Sequence, residues 1–470
     1  MLGLFGTLDL ASRSLQTQQQ GMSVASHNLA NATNPTYSRQ RVVIQTSVTI
    51  PTPFGVEGTG ANVVRIEQIR SALLDSQIQN EAGVTGYWLA QQTAYESAQS
   101  ALGEQVNRTG DATVVGEVNG LADSISDLFN SFQALTTDPS SLSQRQTVLD
   151  TAQQLALRFN QATQRLDNLR TGLNASLTAD AAKANELLGD IAALNDQISL
   201  AELMSGGGPA NDLRDLRQQK IEELSQLVRV DTAEQPNGAV NVSIDGALLV
   251  SNNQVLDTLA TYDAGGGQLL IQTATGGTPL TPTSGSIAGT IDARDNVLAT
   301  LSNDLDTLAA QLISEVNAIH QNGFSLTGST GAAFFTGANA HDIGVNAALV
   351  NDPRLLQISD TAGEAGNNTM ALQLAQLASQ PQAALGNQTF RERYSQIVTG
   401  LGQTLASVNG QIADQEIVAG MLEQQRQSVS GVSVDEEMAN LVKFQRAFQA
   451  SARVVTTVDE MLETIINMKR

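Results

Sequence analysis

The chain has 470 residues, no cysteine and a formal net charge of −22, with room for about three domains and a sizeable core. The acidic balance argues against nucleic acid or an anionic membrane as partner, and the missing cysteine excludes disulfide and thiolate chemistry. No apolar run reaches the length of a membrane span.

The first residues lack the basic stretch and long apolar core of a cleavable secretion signal. Leu8, Leu15, Met22 and Leu29 recur every seventh residue, with Leu4, Ala11, Gln18, Ala25 and Ala32 on an interleaved row. That is a helix with a heptad seam whose second row is mostly small, so another backbone can approach closely. Gly6-Thr7 marks its start and Asn34-Pro35 its stop.

After Pro35 the stretch 37–45 reads as extended, Pro51, Gly55, Gly58 and Gly60 break it, and 62–66 forms a second strand. Helical patterning then dominates, with a connection at Asp138-Pro139-Ser140-Ser141 and a long run from Arg145 to Leu203. Gly206-Gly207-Gly208-Pro209 ends that run, and an amphipathic helix from Leu213 to Val228 returns. Near Val230 the period changes from 3.6 to 2. Val240, Val242 and Ile244 alternate up to Asp245-Gly246, a two-residue hairpin signal, and Leu248 and Leu269 open further strands. Helix resumes over 291–319, a Gly-rich region holds Phe324, Phe334 and Phe335, and two helices over 368–379 and 390–428 lead to the last one.

The last stretch opens with Ser433-Val434-Asp435-Glu436, a capping box. Leu441, Phe444, Phe448, Ser451, Val455, Val458, Leu462 and Ile465 then form a heptad seam. Ala447, Val454, Met461 and Met468 widen it on one flank, so one neighbouring helix does not cover it. Lys469 and Arg470 suit the negative end of the helix dipole. Both ends of the chain are close to neutral, and the excess acid lies between them. The expected fold is mainly α with a small β insert. Residues 1–40 and 431–470 pair as a terminal coiled coil, 41–228 and 291–430 form an elongated helical body, and 229–290 is an outer β-rich domain. Packing of both terminal helices on the body of their own subunit fits the periodicity equally well.

Chemistry is sparse. No nucleophile elbow, zinc-protease motif or phosphate loop occurs, and His27, His320 and His341 are scattered. Asp212, Asp215 and Glu222 lie among Arg214, Arg217 and Lys220 on one helix, which reads as a solvated ion-pair face. No catalytic residue, cofactor or metal is expected, and the chain is not read as an enzyme.

The residues do resemble a family. Asn28-Leu29-Ala30-Asn31-Ala32-Thr33-Asn34-Pro35-Thr36-Tyr37-Ser38-Arg39-Gln40 is similar to the N-terminal signature of bacterial flagellar axial proteins, with Asn28, Asn31, Tyr37 and Arg39 as its marked positions. Ser430-Gly431-Val432-Ser433-Val434-Asp435-Glu436-Glu437, followed by Leu441 and Phe444-Gln445, resembles their C-terminal signature. Leu194-Asn195-Asp196-Gln197-Ile198 and Asn211-Asp212-Leu213-Arg214-Asp215-Leu216-Arg217 are similar to the hook-associated branch. The resemblance implies a structural protein that joins hook to filament by self-assembly through its terminal helices. It also implies secretion through the flagellar type III apparatus without cleavage. The partners it implies are further copies in a tubular assembly, the hook protein, the second junction protein and an export chaperone on the C-terminal helix. The rival readings are another axial protein (second junction protein, rod or hook component), a non-flagellar coiled-coil scaffold, and a hydrolase carried in the 229–290 insert, which lacks histidine.

Overall fold

The structure, a computed structural model, describes residues 3–52, 55–103 and 120–468. Lys469 and Arg470 lie outside them. Helix α1 (Leu4–Ala30) leads into two antiparallel ribbons. Strand β1 (Gln40–Thr46) pairs with β4 (Ala61–Gln68), and β2 (Thr49–Thr52) pairs with β3 (Gly55–Gly58). Helix α2 (Ala72–Leu102) follows, opened by the Ser71 side chain, which accepts the Leu74 N–H. After α3 (Leu121–Leu135) comes α4 (Leu142–Met204), capped by Ser141. At 63 residues, α4 is about 95 Å long.

Gly206 and Gly207, both at positive φ, turn the chain into α5 (Asn211–Leu227). The β-rich region forms two small sheets. One holds β5 (Asp231–Glu234), β6 (Val240–Ile244), β7 (Ala247–Ser251) and β8 (Gln254–Val255), in that order. The other places β10 (Leu269–Thr273) between β9 (Leu259–Asp263) and β11 (Pro279–Leu280). Asp245 and Gly246 both have positive φ, as the tight turn between β6 and β7 demands.

Helix α6 (Gly285–Asp292) passes through a π-helical stretch (Ala293–Leu298) into α7 (Ala299–His320). The Gly-rich region contributes the short ribbon β12 (Phe335–Thr336) with β13 (Gly344–Val345), then α8 (Ala347–Asn351) and α9 (Thr369–Gln376). Helix α10 (Phe390–Ser430) opens with a complete capping box between Thr389 and Glu392. Helix α11 (Val434–Asn467) opens with only half of one. Ser433 accepts the Glu436 N–H, but the Glu436 carboxylate lies on Arg39, so the return bond expected from the sequence is not made.

The mainly α fold thus has long terminal helices and two separate cores. The first joins α2, α3, the N-terminal part of α4, α7, α9 and α10, with Phe132, Phe159, Phe334 and Phe390 nearly sealed from solvent. The second joins the C-terminal part of α4 and α5 to the β-strands, around Leu187, Ile191, Leu224, Val242 and Leu249. Helix α4 is the common spine: from Leu177 onward its apolar stripe faces the second core.

His320 ends α7 inside the first core. Its Nδ1–H donates to the Ala332 carbonyl at 2.7 Å, and Nε2 accepts the Gln357 N–H at 3.0 Å, a pairing that requires the neutral ring. Burial accordingly pushes its pKa down to about 4. Exposed His341 bridges Asp167 on α4 and Asp306 on α7, pinning the Gly-rich loop to both helices.

Candidate functional site: the joint at the base of the terminal pair

Helices α1 and α11 run antiparallel. Ser14 Oγ meets Ser451 Oγ at 2.8 Å, and seven residues further along α1, Gly21 lies under the Phe444 ring. A Cβ added at Gly21 would stand 2.6 Å from that ring, so only glycine allows this approach. On α11, Leu441, Phe444, Phe448, Val455 and Leu462 are half-buried, Val458 is buried, and Ile465 is 54% exposed.

Of the two rows expected on α1, the small one is the row that packs within the subunit. Buried on that helix are Ala11, Thr17, Gly21, Val24, Ala25 and Asn28, whereas Leu8, Leu15 and Met22 are half-buried and Leu29 is exposed. The reason is steric. The large residues of α11 need small residues opposite them, so the leucine row of α1 rotates to the edge of the pair. Thr17 Oγ1 also donates to the Ala61 carbonyl and Arg13 Nη1 to Ser47 Oγ, so the β1–β4 ribbon takes another face of α1.

At the foot of the pair, the signature residues converge on α5. Asn28 is buried at the end of α1 and makes three bonds: its Oδ1 accepts Tyr37 Oη–H (2.7 Å) and Gln40 N–H (3.0 Å), and its Nδ2 donates to the Gln40 carbonyl (2.8 Å). It thereby pairs with Gln40 as a strand residue would, and no aliphatic side chain can replace it. Asn31 caps the helix, donating from Nδ2 to the His27 carbonyl. Tyr37 stands edge-on to His27, their ring centres 5.4 Å apart. Burial, and then the carboxylates of Asp212, Asp215 and Glu437, hold its hydroxyl protonated far above the usual range.

Ser38 donates its N–H (3.0 Å) and Oγ–H (2.8 Å) to the Asp215 carboxylate, which also accepts Arg70 Nη1 at 3.0 Å. Gln40 Nε2 donates to Asp212 at 2.7 Å, and His27 lies 3.3 Å from the same carboxylate. Arg39 closes the joint. Its N–H donates to the Ser430 carbonyl at the end of α10, and its guanidinium spans Glu436 (2.7 Å) and buried Glu437 (2.7 Å) at the start of α11. Both covalent entries to the terminal pair, the 31–39 loop and the Gly431–Ser433 link, are therefore tied at one residue.

The expected solvated ion-pair face on α5 holds for Asp212, Arg214 and Lys220 but fails at two positions. Asp215 and Arg217 are each 5% exposed, because α5 is covered by the 36–40 loop on one side and the β-rich region on the other. Arg217 Nη1 donates to Asn195 Oδ1 (2.9 Å) and to the Gly238 carbonyl (2.6 Å), and Glu222 pairs with Arg426 of α10. Burial raises the Asp215 pKa to about 6, against the lowering pull of the Ser38 donors and Arg70. Periodicity could not have found this site, since charged residues at helical spacing look the same solvated or buried. The motif around 211–217 was the available signal.

Among the described residues no group of acidic or histidine side chains is arranged to hold a metal. The joint is a structural coupling between three parts of the chain, built from neutral donors and paired charges.

Comparison with known proteins agrees with that architecture. Residues 111–335 match the model described as the flagellar hook-associated protein FlgK helical domain, and 423–468 match the C-terminal model of the flagellar basal body rod FlgEFG proteins. Flagellar hook-associated protein 1 of Bacillus subtilis strain 168 is 28% identical, over 99% of both chains. Its namesake in Escherichia coli K12 is 23% identical over 98% of this chain and 99% of the relative. The chain is similar to flagellar hook-associated protein 1 over nearly its whole length. The solved flagellar hook junction protein FlgK from Burkholderia pseudomallei shares the fold, with a TM-score of 0.63 at 18% identity, covering 76% of this chain and all of that one. Within the family frame, the joint lies partly outside the helical-domain match: Asn28, Tyr37, Ser38 and Arg39 precede it, and Asp212 and Asp215 fall inside it.

Proposed function

We propose that this chain is a non-enzymatic axial subunit of the flagellum that joins hook to filament by self-assembly through α1 and α11. The observation that carries this reading is the incomplete cover of the terminal pair. The α1–α11 contact half-covers the α11 seam, burying Val458, and leaves Val454, Met461, Ile465 and Met468 exposed, together with Phe5 and Leu29 on α1. A row of large apolar side chains at the rim of an otherwise acidic molecule is an interaction surface. Further copies of the chain in a tubular assembly would cover it, with the hook protein on one side and the second junction protein on the other. Before export, the same apolar helix needs a chaperone, and passage through the type III apparatus requires no cleavable leader.

Two measurements test this. Cells lacking the gene should carry bare hooks and release filament protein into the medium, and the unaltered gene should restore filaments. Complementation with the double variant Leu441→Asp, Val455→Asp should fail while the helical body stays folded by circular dichroism and proteolysis, because a charge in a packed seam carries a penalty of several kcal/mol. Filaments of normal length on the double variant would remove the seam from the function.

A further inference from the structure

His320 and His341 show opposite hydrogen-bond patterns. His320 donates from one nitrogen and accepts at the other, so its ring is neutral. His341 meets a carboxylate at both. Its Nδ1 lies 3.2 Å from Asp306 Oδ1 on α7, and its Nε2 lies 3.0 Å from Asp167 Oδ2 on α4. An ionised carboxylate only accepts, so both bonds exist together only when both nitrogens carry hydrogen, which is the imidazolium. The side chain is 38% exposed and exchanges its proton with solvent. The two arms differ. Asp306 Oδ1 also accepts the Ala340 N–H at 3.1 Å, so it stays fixed beside the loop whatever the ring does. The Asp167 carboxylate reaches the loop through His341. Thr163 and Asn160, one and two turns earlier on α4, donate to the Ala340 and Ile343 carbonyls and carry no charge. Asp342, the other titratable group of the loop, turns its carboxylate back onto the Ala338 and Asn339 N–H groups.

We propose that His341 is a proton-dependent clamp: the charged ring ties the Gly-rich loop to both α4 and α7, and the neutral ring lets Asp167 of α4 go. A neutral ring has one N–H, and Asp306, already anchored on Ala340, keeps it at Nδ1. The bare Nε2 then faces the Asp167 carboxylate, lone pair against charge, and that arm opens. Asn160 and Thr163 keep the loop seated, so the change is a loosening at one point and no unfolding. Burial pulls the pKa of the ring down, but the hydrogen bonds and charges of Asp306 and Asp167 outweigh it and hold the value above the ordinary one. With the folded value raised, the clamp is complete below about pH 6.5 and is lost as pH rises through the folded value. None of these groups belongs to α1 or α11, so the clamp stands apart from the assembly reading.

A chain with three histidines allows a direct test. Nitrogen-15 resonance of the full-length soluble chain, labelled at histidine, follows the rings of His27, His320 and His341, and His341→Gln assigns the last. The His341 midpoint should lie above about 6.5, and Asp167→Asn and Asp306→Asn should each lower it by about half a pH unit. Past the midpoint its nitrogens should report the Nδ1–H tautomer. Amide exchange reads the clamp itself. Corrected for the intrinsic effect of pH, protection over 337–345 should fall about three-fold between about pH 5.5 and about pH 8.5. In His341→Gln and in Asp167→Asn that step should vanish, since neither chain can set a bare ring nitrogen against a carboxylate on α4. A midpoint at or below about 6.5 in the unaltered chain would overturn the proposal. Protection that stays level through the midpoint, or a step of equal size in either variant, would overturn it too.

Discussion

Gly21 and Asp215 are the two residues on which the terminal pair and its joint depend most sharply. Gly21 admits the Phe444 ring onto the α1 backbone, so Gly21→Ala should weaken α1–α11 docking by about 1–3 kcal/mol, through overpacking rather than lost burial. Faster amide exchange along α1 and α11 would register it, and unchanged exchange would mean that Phe444 has another place to go. Asp215 sets a pH dependence. Its pKa is raised in the folded chain to about 6, so between about 4 and 6 the folded state binds more protons than the unfolded one, and stability rises as pH falls through that window. His320 works in the opposite direction. Its pKa is lowered to about 4, so the unfolded state binds the extra proton and stability drops as pH falls from about 6.5 toward 4. The two nearly offset each other. Asp215→Asn should expose the His320 slope, leaving a chain that loses roughly 2–3 kcal/mol between pH 7 and pH 4 relative to the unaltered chain. Urea titrations across that range would check it, and parallel curves for the two chains would count against the burial of Asp215 as its cause.

Among the elements, α4 and α11 are both long helices and meet different fates. Twenty residues of α4 are buried, spread along both cores, whereas on α11 only Glu437 and Val458 are. Local opening free energy follows buried apolar contact. Amides over 445–462 should therefore exchange at least about 100-fold faster than those over 148–191 in the soluble chain. Equal protection would make the terminal pair a self-sufficient element. The π-helical stretch is a second case where an element's role is set by its ends. It aims Arg294 onto the Leu269 carbonyl of the β-rich region and onto Asn174 of α4, while Asp292 just before it takes Tyr87 Oη at 2.7 Å and Gln91 from α2. A π-bulge is the local solution for turning two successive polar groups toward different partners.

At the scale of the whole molecule, the two cores make separable predictions. Replacing residues 231–280 with a short Gly-Ser linker removes the strands that cover Leu187, Ile191 and Leu224. The C-terminal part of α4 and α5 should then become sensitive to protease, while α3, α7, α9 and α10 stay protected by the first core. Limited proteolysis with mass spectrometry reads this directly, and a uniformly stable chain would show that the second core is dispensable. The joint makes the coupling visible from the other end. Asp215 and Arg217 lie two residues apart on α5, the first holding the loop into α1 and the second holding the β-rich region through Gly238. The orientation of the terminal pair is therefore tied to α5, and through α5 to the β-rich region.

Much of this was legible in the residues alone, and the limit has a physical cause. Helical period, proline and glycine breaks and the Asp245-Gly246 turn are local, and so the long helices, the β-rich stretch between them and the terminal helices could be read directly. The signature around Asn28 and Arg39 carried the resemblance. Three features depended on what each residue meets in space. On α1, Gly21, which lies on neither expected row, became a contact because the partner brings Phe444. Asp215 and Arg217 on the charged face of α5 became interior because the 36–40 loop and the Gly238 turn fold over them. The capping box at Ser433 opened because Arg39, nearly four hundred residues earlier, competes for Glu436. Sequence determined which side chains were available at each turn of helix. Only tertiary structure decided which of them were buried and which charge each one met, because desolvation and pairing depend on neighbours that chain order does not reveal.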